Sequence, residues 1–125
     1  MTFEKLLVAV DGSEASNRAL DAGLELARLA GGSIVALAVE GPLPAYAATV
    51  GEVEEVRARA RAAGIPLELH VRPGHAAELI PRVAKETSVD LIVLGRRGHF
   101  VRDHLLGSTA DRVAEHAECL VMIVR

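Results

Sequence analysis

The stretch LLVAVDGS, residues 6–13, is a short apolar run that ends in a polar turn. An uninterrupted run of this length is typical of a strand buried on both faces of a parallel sheet. Gly12 permits a tight turn, and Ser13 is a residue type that caps helix N-termini. The stretch therefore predicts a strand followed directly by a helix, as in parallel α/β folds.

The same alternation continues to the end of the chain. Further strands are predicted over residues 34–39, 67–71, 91–94 and 120–124. Helices are predicted from Ser13 to Gly31 and over residues 52–63, 76–87 and 108–116. Strands separated by helices indicate a parallel sheet with right-handed crossovers and helices on both faces. No linker or repeat is visible, so residues 1–125 are interpreted as one α/β domain.

The third strand alternates apolar residues with Glu68 and His70, which favours an edge position. That position gives the strand order 3-2-1-4-5, with a switch point between strands 1 and 4. On the helices, periodicity predicts three inward faces and one outward ion pair, Glu55 with Arg59. The faces are Ala15, Ala19, Ala22, Leu26 and Leu29 in the first helix, Val53, Val56, Ala60 and Ala63 in the second, and Ala76, Ile80, Val83 and Ala84 in the third.

Composition narrows the function classes. The chain has 125 residues, a net charge of −3 and one cysteine. The slightly negative charge gives no electrostatic case for nucleic acid or an anionic membrane. The lone Cys119 cannot form an internal disulfide and is interpreted as a packed thiol. Without a visible signal peptide or membrane-length segment, the sequence predicts a cytoplasmic protein.

The chemistry is expected where the switch point brings two loops together, beyond the carboxyl ends of strands 1 and 4. One loop is residues 11–13, and the other begins at Gly95 and ends in Gly107-Ser108-Thr109 at a helix start. Glycine backbone and first-turn N–H groups favour an anion. The second loop is also locally basic, with Arg96, Arg97, His99, Arg102 and His104 against Asp103. A phosphate site is predicted; the alternative is that the glycines only form turns and Ser108 only caps the helix.

Asp11 has two possible roles. Its carboxylate could bind ribose hydroxyls or a phosphate-bridging metal, or it could accept a hydrogen bond within its own turn. His99 and His104 do not have the spacing of a helical metal pair, and no resident metal site is predicted. No Gly-x-Ser-x-Gly elbow and no Walker-type lysine loop is present. No catalytic residue is assigned.

Four stretches match a known family: residues 7–13, 90–95, 107–113 and 117–124. Over almost its full length the chain resembles the universal stress proteins. The resemblance implies a Rossmann-like, adenine nucleotide alpha hydrolase-like sheet in the order derived above. It also implies bound ATP, with or without Mg²⁺, and a homodimer formed through the last strand, Leu120 to Val124. An apolar edge strand would otherwise stay unpaired, which agrees with such a dimer.

The resemblance also implies roles for single residues. Asp11 and Val39 would flank adenine and ribose, with Ala9 nearby. Leu94 and Gly95 would line the nucleotide. The phosphates would lie against the glycine-rich loop and the helix start, at Arg97, Gly98, Gly107, Ser108 and Thr109.

Two departures from the family pattern concern this site. The pattern Gly-x2-Gly-x9-Gly-Ser/Thr has nine residues before its last glycine, whereas eight separate Gly98 from Gly107 here. The deletion would tighten the phosphate loop or remove a contact. The segment between strand 2 and the second helix is also short, which thins one wall of the adenine site.

The favoured function is a small ATP-binding regulatory or stress-response protein with little or no hydrolysis and an unidentified protein partner. One alternative is a slow ATPase that uses a metal and Asp11 as base. Another is an interaction module that has kept the fold and lost the ligand. A phosphorylated receiver domain is excluded, because Arg72-Pro73-Gly74 follows strand 3 and no lysine follows Lys85.

Overall fold

The computed structural model describes residues 2–40, 50–96 and 108–125. In these segments strands and helices alternate, as the apolar runs and helical periodicity predict. The elements are β1 (Lys5–Val10), α1 (Glu14–Ala30), β2 (Ser33–Glu40), α2 (Val50–Ala63), β3 (Leu67–Pro73), α3 (Ala76–Thr87), β4 (Leu91–Gly95), α4 (Ser108–His116) and β5 (Leu120–Val124).

The strands form one parallel sheet in the order β3-β2-β1-β4-β5. The predicted α/β fold and strand order are confirmed, including β3 at one edge. Strand β1 is central: its residues 5–10 pair with residues 33–38 of β2, and its residues 6–8 pair with residues 91–93 of β4. The chain therefore leaves two adjacent strands, β1 and β4, at the same end of the sheet.

Each face of the sheet has its own aliphatic core. Leu6, Val8 and Val10 point to a cluster that contains residues of α1 and α2. Leu7, between them in β1, points to a second cluster that contains residues of α3 and α4. Successive strand side chains alternate between faces, so one central strand contributes to both cores. Helices on both faces are thus confirmed, with α1 and α2 opposite α3 and α4.

Helix α1 buries Ala15 and Ala19 as predicted, but the predicted inward position of Leu29 is wrong. Leu29 is 68% exposed, and Ala22 and Leu26 are only half-buried. The buried residues of the helix are Ala15, Ser16, Ala19, Leu20, Gly23, Leu24 and Ala27. A Cβ on Gly23 would lie 2.7 Å from Val8 Cγ2. Ala15, Ala19, Gly23 and Ala27 are small residues at every fourth position. They let the backbone of α1 approach β1 closely, and for this reason this side of the helix is buried.

Helix α2 also differs from its prediction in two details. Val56 and Ala60 are buried as expected, but Ala63 is exposed at the C-terminal end of the helix. Arg59 pairs with Asp21 of α1, whereas the sequence predicted Glu55 as its partner. Helical spacing predicts which residues are neighbours within one helix. It does not predict that α1 places Asp21 closer to Arg59 than Glu55 is.

None of the described helices is long and apolar enough to cross a membrane.

Candidate functional site

The turn after β1 is built by a local hydrogen-bond network. The Asp11 carboxylate accepts a hydrogen bond from the Ser13 N–H at 2.9 Å. Gly12 has a φ of +81°, in the left-handed region that favours glycine. Ser13 caps α1, its hydroxyl accepting from the Ser16 N–H at 3.1 Å, as its residue type predicts. The turn-capping role of Asp11 is therefore observed, and its contact with a nucleotide stays a prediction.

Ser16 belongs to this network and was not singled out from the sequence. Its hydroxyl accepts a hydrogen bond from the Asp11 N–H at 3.3 Å and donates one to the Ser13 carbonyl at 3.2 Å. Ser16 is only 6% exposed, and among the described residues it is the one polar or charged residue that is buried. A serine three residues after a helix cap was the available signal, because serine hydroxyls can bond backbone groups three residues earlier in the chain.

Gly95 ends β4 in direct contact with the first turn of α1. A Cβ on Gly95 would lie 2.1 Å from the carbonyl oxygen of Ala15 and 2.4 Å from its carbonyl carbon. No side chain fits between the two backbones. Close packing of α1 on β4 is thus sufficient reason for a glycine here, whether or not Gly95 also lines a ligand.

Three of the apolar residues assigned to the nucleotide lie on one face of the sheet. Ala9 and Val39 are half-buried and Leu94 is 4% exposed, and all three belong to the core beneath α3 and α4. Ala9 and Leu94 follow Val8 and Val93, which are paired, so they are neighbours on adjacent strands. The structure brings these residues together, with Leu94 largely covered by the core.

The predicted phosphate-binding segment is described only at its end. Helix α4 begins at Ser108, Thr109 is half-buried in its first turn, and Ala110 and Val113 anchor the helix to the core. The remaining predicted contacts lie outside the described residues: Arg97, Gly98 and Gly107, with His99, Arg102 and His104 of the basic loop. The Arg96 N–H donates to the Val124 carbonyl at 2.9 Å, which continues the β4–β5 pairing to the start of this loop.

A cleft lies on the opposite face of the sheet, between α1 and α2 at the carboxyl end of β1. Its lining is Val10, Gly12, Asn17, Ala38, Glu52, Val53, Glu55, Val56 and Arg59. The carboxylate of Glu52 lies against Gly12, because a Cβ there would be 2.7 Å from its Cδ and Oε1 atoms. The sequence offered no signal for this contact, since it depends on how α2 packs beside α1.

The two sheet edges carry different side chains. On β3, Glu68 pairs with His70 at 2.8 Å and Arg72 pairs with Glu86 of α3 at 2.7 Å, alongside the exposed Val71. The hydrogen bond from Arg72 lowers the pKa of the Glu86 carboxyl. Strand β5 instead exposes Leu120 and Met122, at 45% and 37%. Charged side chains discourage edge-to-edge pairing, so β5 is the more accessible edge.

Two further features of the described residues concern reactivity and metal binding. Cys119 is half-buried against the second core, and burial raises the pKa of its thiol. That environment suits the packed thiol predicted from the sequence. Across residues 2–40, 50–96 and 108–125, no three side chains of His, Cys, Asp or Glu are grouped to hold a metal ion.

Comparison with known proteins gives the evolutionary context of this site. A model of the universal stress protein family matches residues 2–125. Universal stress protein YxiE of Bacillus subtilis is 32% identical over 147 aligned positions, which cover 98% of this chain and 99% of the relative. A universal stress protein of Thermus aquaticus is 33% identical over 98% of this chain and 99% of its own length. Both alignments are longer than 125 positions, so these relatives carry segments that this chain lacks.

Solved structures show the same fold. UspA from Lactobacillus plantarum superimposes with a TM-score of 0.84 at 26% identity, covering 100% of this chain and 99% of that one. A universal stress protein in complex with cAMP gives 0.84 at 24% identity, with the same coverage. A family protein from Arabidopsis thaliana with AMP bound gives 0.77 at 22% identity, over 97% and 90% of the two chains. On the family match, the sequence relatives and the shared fold, this chain belongs to the universal stress protein family.

Proposed function

We propose that this chain binds an adenine nucleotide, ATP in the first place, at the carboxyl ends of β1 and β4, and acts as a regulatory or stress-response protein. The observation that carries the proposal is the switch point. From adjacent strands the chain passes to α1 on one face of the sheet and to α4 on the other. A crevice at such a point is where open parallel sheets bind nucleotides.

The residues at the switch point suit the parts of a nucleotide. The first turn of α4, with Thr109, offers backbone N–H groups and a hydroxyl to an anion. The Asp11 carboxylate lies in the turn at the end of β1, next to the switch point. Solved relatives with cAMP and AMP bound support an adenine nucleotide as the ligand class. ATP with or without Mg²⁺, and a cytoplasmic location, are the finer parts of this proposal.

Binding without appreciable hydrolysis is the favoured activity. A hydrolytic site needs a base held close to the attacking water. Asp11, the candidate base, is already hydrogen-bonded within its own turn. In a slow ATPase the same carboxylate would have to hold the attacking water while it accepts the Ser13 N–H.

Calorimetric titration of the nucleotide-stripped protein with ATP, with and without Mg²⁺, tests the proposal. Micromolar binding is expected, and phosphate release measured in the same samples should stay close to the rate without protein. Absence of binding up to millimolar ATP would contradict the proposal. It would favour the alternative, an interaction module that keeps the fold and recognises a protein partner.

We further propose that β5, residues 120–124, pairs two copies of the chain into a homodimer. Changing both Leu120 and Met122 to Glu should shift the protein from dimer to monomer, because charges would replace the exposed apolar contacts of this edge. Sedimentation velocity at tens of micromolar protein measures the shift. The control is Val71→Glu, an exposed apolar residue on the opposite edge, which should leave the dimer intact. A monomeric wild-type chain, or a dimer lost equally in the control, would contradict this arrangement.

A further inference from the structure

The Ser16 hydroxyl joins two backbone groups of the turn that follows β1. It accepts a hydrogen bond from the Asp11 N–H at 3.3 Å and donates one to the Ser13 carbonyl at 3.2 Å. The Ser13 N–H in turn donates to the Asp11 carboxylate at 2.9 Å. Asp11 is therefore held twice: Ser16 bonds its backbone, and Ser13 bonds its side chain.

Ser16 makes these bonds from a buried position. The residue is 6% exposed and lies on the face of α1 that packs on the sheet. Water therefore has little access to take the place of its hydroxyl. The Ser13 carbonyl also accepts from the Asn17 N–H at 3.0 Å, so it keeps a bond when the Ser16 hydroxyl is removed. The Asp11 N–H loses the bond described above, and the effect of the change is expected at Asp11.

The same turn of α1 also lies against β4. A Cβ on Gly95, the last residue of β4, would be 2.1 Å from the Ala15 carbonyl oxygen. Ala15 and Ser16 thus connect the first turn of α1 to the ends of both strands at the switch point. Because β1 and β4 pair side by side, this turn fixes where Asp11 lies relative to Gly95.

We propose that Ser16 is a positioning residue of the nucleotide site, which holds the backbone of Asp11 so that the carboxylate can bind the nucleoside. Ser16 itself is covered by α1 and the sheet and acts through Asp11. Hydrogen bonds to a carboxylate weaken steeply when distance or angle is poor. A backbone that is already fixed also avoids the cost of ordering it on binding. This inference rests on the proposed nucleotide binding and adds a residue that the sequence did not single out.

Calorimetric titration with ATP tests the inference on the wild type, Ser16→Ala, Asp11→Ala and the double variant. Ser16→Ala should bind ATP about fivefold more weakly, which is less than the loss of a whole hydrogen bond to a charged group, because the carboxylate is displaced but still present. In the Asp11→Ala background the same change should have no further effect on affinity. Such non-additivity is expected of two residues that act through each other.

Thr87→Ala is the matched control for a loss of stability. The Thr87 hydroxyl donates to the Val83 carbonyl at 2.6 Å, at the opposite end of the sheet from Asp11. Ser16→Ala and Thr87→Ala should both lower the midpoint of urea unfolding, but only Ser16→Ala should weaken ATP binding. If Ser16→Ala does not fold, Ser16→Cys serves in the same cycle, since a thiol keeps most of the volume and is a weak acceptor.

Hydrogen exchange gives a second measurement that needs no ligand. In NMR spectra of the free protein, the Asp11 amide should exchange with solvent about tenfold faster in Ser16→Ala than in the wild type. The same amide should keep its wild-type exchange rate in Thr87→Ala. An Asp11 amide that exchanges equally fast in the wild type and in Ser16→Ala would contradict the hold of Ser16 on Asp11.

The other outcomes separate this inference from the proposed function. Unchanged ATP affinity in Ser16→Ala, beside a lower unfolding midpoint, would show that Ser16 only supports the fold. An equal loss of affinity with and without the Asp11 carboxylate would show that Ser16 does not act through Asp11. Each of these results would overturn the positioning role while leaving nucleotide binding established. Failure of the wild-type chain to bind ATP would instead overturn the proposed function, and the positioning role with it.

Discussion

Replacing Gly95 by Ala is expected to destabilise the folded chain by about 3 kcal/mol, an overpacking cost at the upper end of the usual range. The added methyl group would lie 2.1 Å from the carbonyl oxygen of Ala15, and the atom it meets is backbone. A flexible side chain could move away, but here α1 as a whole must shift from β4. Urea unfolding followed by circular dichroism gives the free energy of unfolding. The midpoint of thermal unfolding should fall by about 10 °C.

Gly31→Ala is the matched control for this substitution. Gly31 has a φ of +69° at the end of α1, and no atom lies within 4 Å of its added Cβ. Alanine there bears the conformational cost alone, about 1 kcal/mol. A loss for Gly95→Ala no greater than for Gly31→Ala would contradict the packing role. The comparison also matters for function. If the Gly95→Ala variant is destabilised and loses ATP binding, the loss of binding cannot be attributed to a missing contact between Gly95 and the nucleotide.

Changing Ser108 and Thr109 together to Ala is expected to lower ATP affinity by about a hundredfold. The estimate takes about tenfold for each hydroxyl hydrogen bond to a charged phosphate. Alanine is a good helix former, and α4 remains anchored by the buried Ala110 and Val113, so the fold should persist. Calorimetric titration with ATP measures the affinity, and the unfolding transition of the same sample checks the fold.

The control for this variant is the pair Thr87 and Ser88, also changed to Ala. These adjacent hydroxyl residues lie where α3 ends and the chain turns toward the start of β4. They are therefore at the opposite end of the sheet from the switch point. The control should lose some stability, since the Thr87 hydroxyl bonds the Val83 carbonyl at 2.6 Å, but it should bind ATP normally. Unchanged ATP affinity in the Ser108 and Thr109 variant would move the phosphates away from α4.

The strand order was predictable because burial leaves a pattern in the chain. Strands covered on both faces are uninterrupted apolar runs, as in β1 and β4, whereas β3 alternates with Glu68 and His70 and is found at the edge. The hydrogen bonds in the turn after β1 were also predictable, because they depend on residues close together in the sequence. The bonds among Asp11, Ser13 and Ser16 span at most five residues, so residue type and spacing already favour them.

Contacts between residues far apart in the chain left no comparable pattern in the sequence. The glycine at position 95 suggested a ligand, and nothing in the sequence indicated that it also lies directly on the Ala15 backbone. The sequence suggested that Leu29 is buried, but close approach at Gly23 turns that side of α1 outward. Periodicity shows that a helix has an apolar side; the angle at which the helix packs also depends on the residues it meets.

The local pattern of apolar runs, polar faces and turn residues thus specified a five-stranded parallel sheet with a switch point between β1 and β4. Which side chains surround that point was decided by tertiary packing. Glu52 reaches Gly12 across 40 positions of sequence because Val56 and Ala60 anchor α2 beside α1. Local backbone preferences act over a few residues, whereas such a contact exists only after separate elements have packed together.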